Sequence, residues 1–274
     1  MRPTFSKEFL KSHLSSHLQK EGTMGETAIA PPVPDDQPAD SFFSRALEVF
    51  IAPGRAFESI VRRPDFLVPL IITTVASIIT IEAMLQRIGA GRIIRQSIEM
   101  SGKASQMTPQ QIDQAVQKMA MFTGISTRVI GVIGTPLYML VIAAVGLFVV
   151  NVMFGASADF KTCFSVVNYA GLVLLIAAVL GVVMIMLGDV EQFNPQNFVP
   201  TTVGFFLDPR ATSKPLYAIA SSFDVFRVWF IVLASMGLSA ATRKKVKTAP
   251  IFLTYLGIWV IVVLGQAGIA AIMG

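Results

Sequence analysis

Five apolar runs, at about 66–85, 129–153, 164–187, 223–241 and 251–273, set the limits on what this chain can fold into. Each is close to the ~20 residues with which a helix, rising about 1.5 Å per residue, crosses a hydrocarbon layer of about 30 Å. Within that layer no water satisfies the backbone, so such a run must close its own hydrogen bonds as a helix. The expected fold is therefore all-α: a polytopic membrane protein built as a bundle of five transmembrane helices preceded by amphipathic interfacial helices. The charge content agrees. Only 14% of the 274 residues are charged and 53% are apolar, against roughly 25% charged in soluble domains. The solvent for much of this surface has to be lipid.

The formal charge of +5 raises the question of nucleic acid. The basic residues flank apolar runs and do not line one polar face with interleaved aromatics, so no nucleic-acid partner is expected. The expected partners are the bilayer and a membrane protein or a second copy of the chain. Residues 1–40 are polar, with Pro31, Pro32, Pro34, Asp35, Asp36 and Pro38 close together. This is the composition of a disordered tail, distinct from the membrane domain at 41–274. It contains no apolar signal core, so insertion is expected to begin at the first span, and Met24 is an alternative start. His13 and His17 stand four apart but lack a third ligand nearby. Cys163, the only cysteine, excludes an intrachain disulfide and a thiolate cluster. No metal and no cofactor are expected.

Between Ser41 and Pro64 two short helical patterns occur. Phe42, Phe43, Ala46, Leu47, Phe50 and Ile51 recur at helical spacing, with Arg45 and Glu48 opposite. After the Pro53–Gly54 break, Phe57, Ile60 and Val61 continue a second pattern. Two placements fit. Either both helices lie in the headgroup layer with Arg55, Arg62 and Arg63 towards lipid phosphates, or they dock on the protein's own helix ends.

In the first span Thr73, Ser77, Thr80 and Met84 follow one helical stripe, a face expected to pack inward. Glu82 lies near the end of this span, with Arg87 close in sequence. A carboxylate there reads as an end-of-helix group reaching headgroup water, the alternative being a proton relay. Residues 86–128 form an extramembrane helical loop, in which Thr108-Pro109-Gln110-Gln111 has the pattern of an N-cap, a first-turn proline and a capping box. Pro136 is a possible kink in the second span. A tight turn over Gly155–Asp159 leads to the third span, whose Asn168 and Gly171 suit a helix contact. Phe198, Phe205 and Phe206, in the Pro/Asn-rich loop at 188–222, are expected to dip into the interface. Asp224 and Arg227 share a helix face at the start of the fourth span and read as an interfacial pair, with a substrate site as the alternative. Ser235, Gly237, Ser239 and Ala241 give small-residue packing positions, and Arg243, Lys244, Lys245 and Lys247 follow as a basic cluster.

Basic residues are almost equally numerous on the two sides of a five-span arrangement. The density of charge at 243–247 tips the balance and places the N-terminus in the cytoplasm and the C-terminus outside the plasma (inner) membrane.

Three stretches resemble the Yip1 domain family of five-span membrane proteins, in its bacterial branch: IAPGRAFESIVRRPDFLVPLII, FGASADFKTCFSVVNYAGL and SFDVFRVWFIVLASMGLSAATRKK. Within the last, Phe223-Asp224-Val225-Phe226, Trp229 and Gly237-Leu238-Ser239 stand in the family's order. The resemblance covers roughly residues 45–270 and implies a cytoplasmic N-terminus. Eukaryotic relatives are associated with prenylated Rab GTPases and vesicle traffic, a role that does not carry over to a bacterial protein, and no catalytic residues are implied. The functional expectation is a non-enzymatic scaffold or adaptor. A small-solute transporter or channel is the alternative, although the ionisable groups cluster at span ends and not at the midplane. Neither HExxH nor GxSxG occurs, so enzyme activity is not expected.

Overall fold

The computed structural model describes residues 41–100, 103–189, 194 and 197–272. The polar tail, with His13, His17 and Met24, lies outside the described residues. Among the described residues there are ten α-helices: α1 (Phe42–Ile51), α2 (Pro53–Arg62), α3 (Leu67–Arg87), α4 (Ala90–Met100), α5 (Pro109–Phe148), α6 (Phe160–Ala170), α7 (Leu174–Leu187), α8 (Lys214–Ser222), α9 (Val225–Ala241) and α10 (Thr248–Ile272). Among the described residues there is no β-strand, only one isolated antiparallel bridge between Thr202 and Asp224.

Among the described residues four stretches are long and apolar enough to cross a membrane: Leu67–Arg87, Pro109–Met153, Phe160–Leu187 and Thr248–Ile272. The fourth run of the sequence departs from the expected length. Its helix, α9, has 17 residues, a length of about 25 Å at 1.5 Å per residue. The reason lies at its start, where Phe223 and Asp224 leave helical geometry to meet residues 201–203. The Val203 N–H donates to the Phe223 carbonyl at 3.0 Å and the Val225 N–H to the Thr201 carbonyl at 3.3 Å.

The 86–128 segment is a helical hairpin, but its second arm is no separate element. Helix α5 runs unbroken for 40 residues, about 60 Å, and ends in a π-turn at Val149–Met153. Its start is the predicted capping box: the Gln111 N–H donates to Thr108 Oγ1 at 3.3 Å and the Thr108 N–H to Gln111 Oε1 at 2.8 Å. It continues through Pro136, which interrupts one intrahelical bond without ending the helix. The turn from α3 into α4 places Gly89 at φ +85°, a conformation costly for any residue with a Cβ, and the Arg95–Asp113 ion pair ties α4 to α5.

The interior is centred on α6 and α9. Every residue from Thr162 to Val173 is buried, so α6 and the 3₁₀ turn after it are enclosed on all sides. Their polar side chains are satisfied mainly by their own helix: Ser165 donates to the Lys161 carbonyl and Asn168 to the Phe164 carbonyl, both at 2.8 Å. Close helix crossings occur where side chains are absent. A Cβ added at Gly237 of α9 would fall 2.3 Å from Val166 of α6 and 2.7 Å from Phe57 of α2. One at Gly146 of α5 would fall 2.5 Å from the Tyr255 hydroxyl of α10. The expected packing positions Ser235, Gly237, Ser239 and Ala241 are all buried.

The hydroxyl stripe of α3 faces inward, towards α5 and α7, but it does not close against them. Thr73, Ser77 and Thr80 line a cavity of about 600 Å³, together with Thr135 and Tyr138 of α5 and Ala178 of α7. Thr73 and Thr80 donate to the Pro69 and Ala76 carbonyls of their own helix, at 3.0 and 2.9 Å. The tight α3–α5 contact is instead Ile81 against Gly131. Of the three loop phenylalanines only Phe206 is largely exposed, at 74%. Phe198 wedges against Gly181 of α7, so the expectation of an interfacial position is corrected for it.

Gly237→Val is expected to lower stability by about 1–3 kcal/mol, the cost of overpacking a closed contact. At Gly257 an added Cβ meets nothing within 4 Å, so Gly257→Ala should be neutral or stabilising by up to about 1 kcal/mol. Thermal unfolding in a neutral detergent compares the two.

Candidate membrane-surface site

Helices α1 and α2 lie at the end of the bundle where α6 begins and α9 ends. Ser41 caps α1 by accepting the Ser44 N–H at 3.2 Å, and Pro53 opens α2 at a position whose N–H has no helical partner to lose. Of the two placements left open by the sequence, docking describes α2. Its Ala56, Phe57 and Ile60 are fully buried, with Phe57 filling the space over Gly237. Arg55, Arg62 and Arg63 point outward and are exposed. Helix α1 is two-faced: Val49 is buried, whereas Phe43, Leu47 and Ile51, at i, i+4 and i+8, are 80%, 61% and 70% exposed.

Arg45 is the correction on this surface. The pattern puts it on the polar side of α1, yet it is buried. Its guanidinium donates to both Asp65 carboxylate oxygens, at 3.1 and 2.8 Å, and to the Arg63 carbonyl at 3.2 Å. It also lies 5.4 Å from the centre of the Tyr169 ring, and the Tyr169 hydroxyl donates to Asp65 at 2.9 Å. This latch fastens α1, the α2–α3 connection and α6 to one another. Asp65 went unremarked in the sequence; the available signal was an acid standing immediately before an apolar run.

The turn after α9 is a rigid display of cations. The Thr242 hydroxyl donates to the Ser239 carbonyl at 2.8 Å and accepts the Val246 N–H at 3.2 Å, while Ser239 donates to the Val246 carbonyl at 2.7 Å. These bonds hold Arg243 and Lys244 in consecutive left-handed conformations, φ 54° and 59°, each disfavoured for a residue with a Cβ. Arg243, Lys244, Lys245 and Lys247 are all exposed. Lys244 donates to Glu58 of α2 at 2.6 Å. That hydrogen bond, then the charges of Lys244 and Arg62, hold the Glu58 carboxyl below its ordinary range.

The remaining expected residues do not converge on one site. Glu82 is not partnered by Arg87. It forms a two-pronged ion pair with Arg128 of α5, the second contact being 3.1 Å. Residues five apart on a helix face different directions, whereas Arg128 stands opposite on the neighbouring helix. Asn168 is fully buried in α6, its side-chain oxygen without a hydrogen-bond partner. Asp224 is not one half of a side-chain pair with Arg227. It is the N-cap of α9, accepting the Phe226 and Arg227 N–H groups at 2.7 and 3.1 Å and the Thr201 hydroxyl at 2.8 Å. Nearby, the buried Asn197 donates to the Tyr217 hydroxyl at 2.8 Å, part of a polar cap absent from the sequence reading. Among the described residues no group of three metal-ligating side chains occurs.

Among the described residues, a helical fold without strands, four stretches able to cross a bilayer and many exposed large apolar side chains define a multi-pass membrane protein. The Yip1 domain model matches residues 47–267, and the chain belongs to the Yip1 family. No curated protein and no solved structure shows a significant match.

Removing one partner of a buried pair leaves the other uncompensated. Asp65→Asn should therefore cost about 1–3 kcal/mol, the lower range because its side chain is 42% exposed. The double variant Arg45→Met/Asp65→Asn should recover part of that loss in the same melting assay.

Proposed function

We propose that this Yip1-family protein is a non-enzymatic scaffold or adaptor of the bacterial inner membrane, which binds a membrane-protein partner or a second copy of itself. The observation that carries this reading is on α5. Beyond the Glu82–Arg128 pair towards its N-terminus, Met121, Phe122 and Ile125 are 77%, 71% and 57% exposed. This is an apolar face on a helix arm that extends well past the length needed to cross a bilayer. The charges supply no pathway: Glu82 and Arg128 neutralise each other, Asp224 caps a helix, and two cavity-lining threonines bond to their own helix. A photo-crosslinking residue in place of Phe122, in the native membrane, should give discrete adducts identified as one defined membrane protein or as a dimer. Adducts with lipid alone would sink the proposal.

The same reading has five crossings, with the N-terminus cytoplasmic and the C-terminus outside. Support comes from α9, whose first turn binds residues 201–203 while the turn that follows its other end meets α2 through Lys244 and Glu58. Single cysteines at Arg227 and Lys245, in a Cys163→Ser background, should react with an impermeant maleimide from opposite faces of the membrane. Labelling of both from one face would leave four crossings.

A further inference from the structure

The Lys244–Glu58 bridge divides the surface between α2 and the α9–α10 turn into two hollows, of about 300 and 270 Å³. The second is lined by Arg62, Arg243, Lys244, Glu58, Val61 and Ala240. It brings three cations against one carboxylate, from segments about 180 residues apart in the chain. Glu58 is already engaged by Lys244, so both guanidinium groups remain available at the rim. Planar guanidinium groups match phosphate oxygens in paired hydrogen bonds. The floor is apolar. Val61 and Ala240 lie directly beside the charges, a combination suited to an amphiphile and not to a bare anion.

Two further features of the structure agree with an anionic ligand. The turn holds Arg243 at φ 54°, where glycine would be unstrained, so the position keeps a charged side chain against its backbone preference. Conformational outliers of this kind are a warrant for a functional hypothesis. The exposed Phe43, Leu47 and Ile51 of α1 lie at the same end of the bundle, which marks that end as facing the headgroup region.

We propose that the hollow between α2 and the α9–α10 turn, lined by Arg62, Arg243 and Lys244, binds the phosphate of an anionic phospholipid of the surrounding bilayer. The inference rests on the multi-pass membrane reading alone, so a failure of the Phe122 crosslinking experiment leaves it standing. Full-length protein in neutral detergent is mixed with equal amounts of phosphatidylglycerol and phosphatidylcholine, and bound lipid is read by native mass spectrometry. Wild type should retain one phosphatidylglycerol in preference to phosphatidylcholine. Arg62→Gln/Arg243→Gln should lose about tenfold in occupancy. Arg55→Gln/Lys245→Gln removes the same charge from positions that do not line the hollow and should change occupancy less than about twofold, because neither side chain is placed for paired hydrogen bonds to the phosphate.

Equal losses in the two double variants would mean a diffuse basic collar and overturn the site. Displacement of the lipid by millimolar inorganic phosphate would make it a free-anion site and overturn the lipid assignment. Arg243→Gly provides a variant suited to the turn's backbone. It should weaken phosphatidylglycerol binding without lowering the melting temperature in neutral detergent. Undiminished binding in this variant would remove Arg243 from the site and sink the proposal.

Discussion

Apolar helices gain no hydrophobic driving force by leaving lipid for one another, since the tails are as apolar as leucine. Their association depends on close van der Waals contact and on hydrogen bonds, and here that contact is made at Gly237. Its missing side chain lets α9 meet Val166 of α6 and Phe57 of α2 at one point. The crossing joins the middle of the bundle to a surface helix. Everything at this end follows from it: α2 is fixed on α9, Glu58 is brought to Lys244, and the Arg45–Asp65–Tyr169 latch then fixes α1 on α6. The membrane-surface end is therefore an extension of the bundle's packing, with its cations in set positions.

Elements whose signal is local were legible in the sequence. The Thr108–Gln111 capping box, the break at Pro53 and the turn at Gly155, whose φ is +65°, each follow from a few adjacent residues with a backbone preference. The small residues of α9 were readable as a buried face for the same reason. Partnerships across the chain were not. Glu82 and Asp224 were each matched with the nearest base in sequence, yet one is paired with a residue 46 positions away and the other with backbone N–H groups. Asp224 could have been read otherwise, because an aspartate directly before an apolar helix is a standard N-cap. For Arg45 no local signal existed: burial of an arginine is decided by whether an acid arrives from elsewhere, and Asp65 does so through the α2–α3 connection.

The hydroxyl stripe of α3 shows a further limit of periodicity. Residues spaced i, i+4, i+7 identify a face, but not what that face meets. Thr73, Ser77 and Thr80 do turn inward, and what they meet is a cavity that α5 and α7 also line. Ile81, which occupies the space of a missing side chain at Gly131, lines the same cavity, and the Glu82–Arg128 pair lies one residue further along α3. A single close contact between two helices does not fill the space beside it.

Helix α9 makes the same point about length. A helix facing lipid has to match the hydrocarbon thickness, and one of about 25 Å falls short of about 30 Å. That criterion applies to a helix whose ends are free of other protein contacts, and both ends of α9 are held by other parts of the chain. Its N-terminus is met by residues 201–203, which accept and donate the backbone bonds the first turn leaves open, and its C-terminus is met by α2 and the Ser239–Thr242–Val246 turn. Nine of its 17 residues are buried. The length of such a helix is set by the protein at its two ends, so hydropathy and length, which identify the four longer stretches, say little about a helix held in this way.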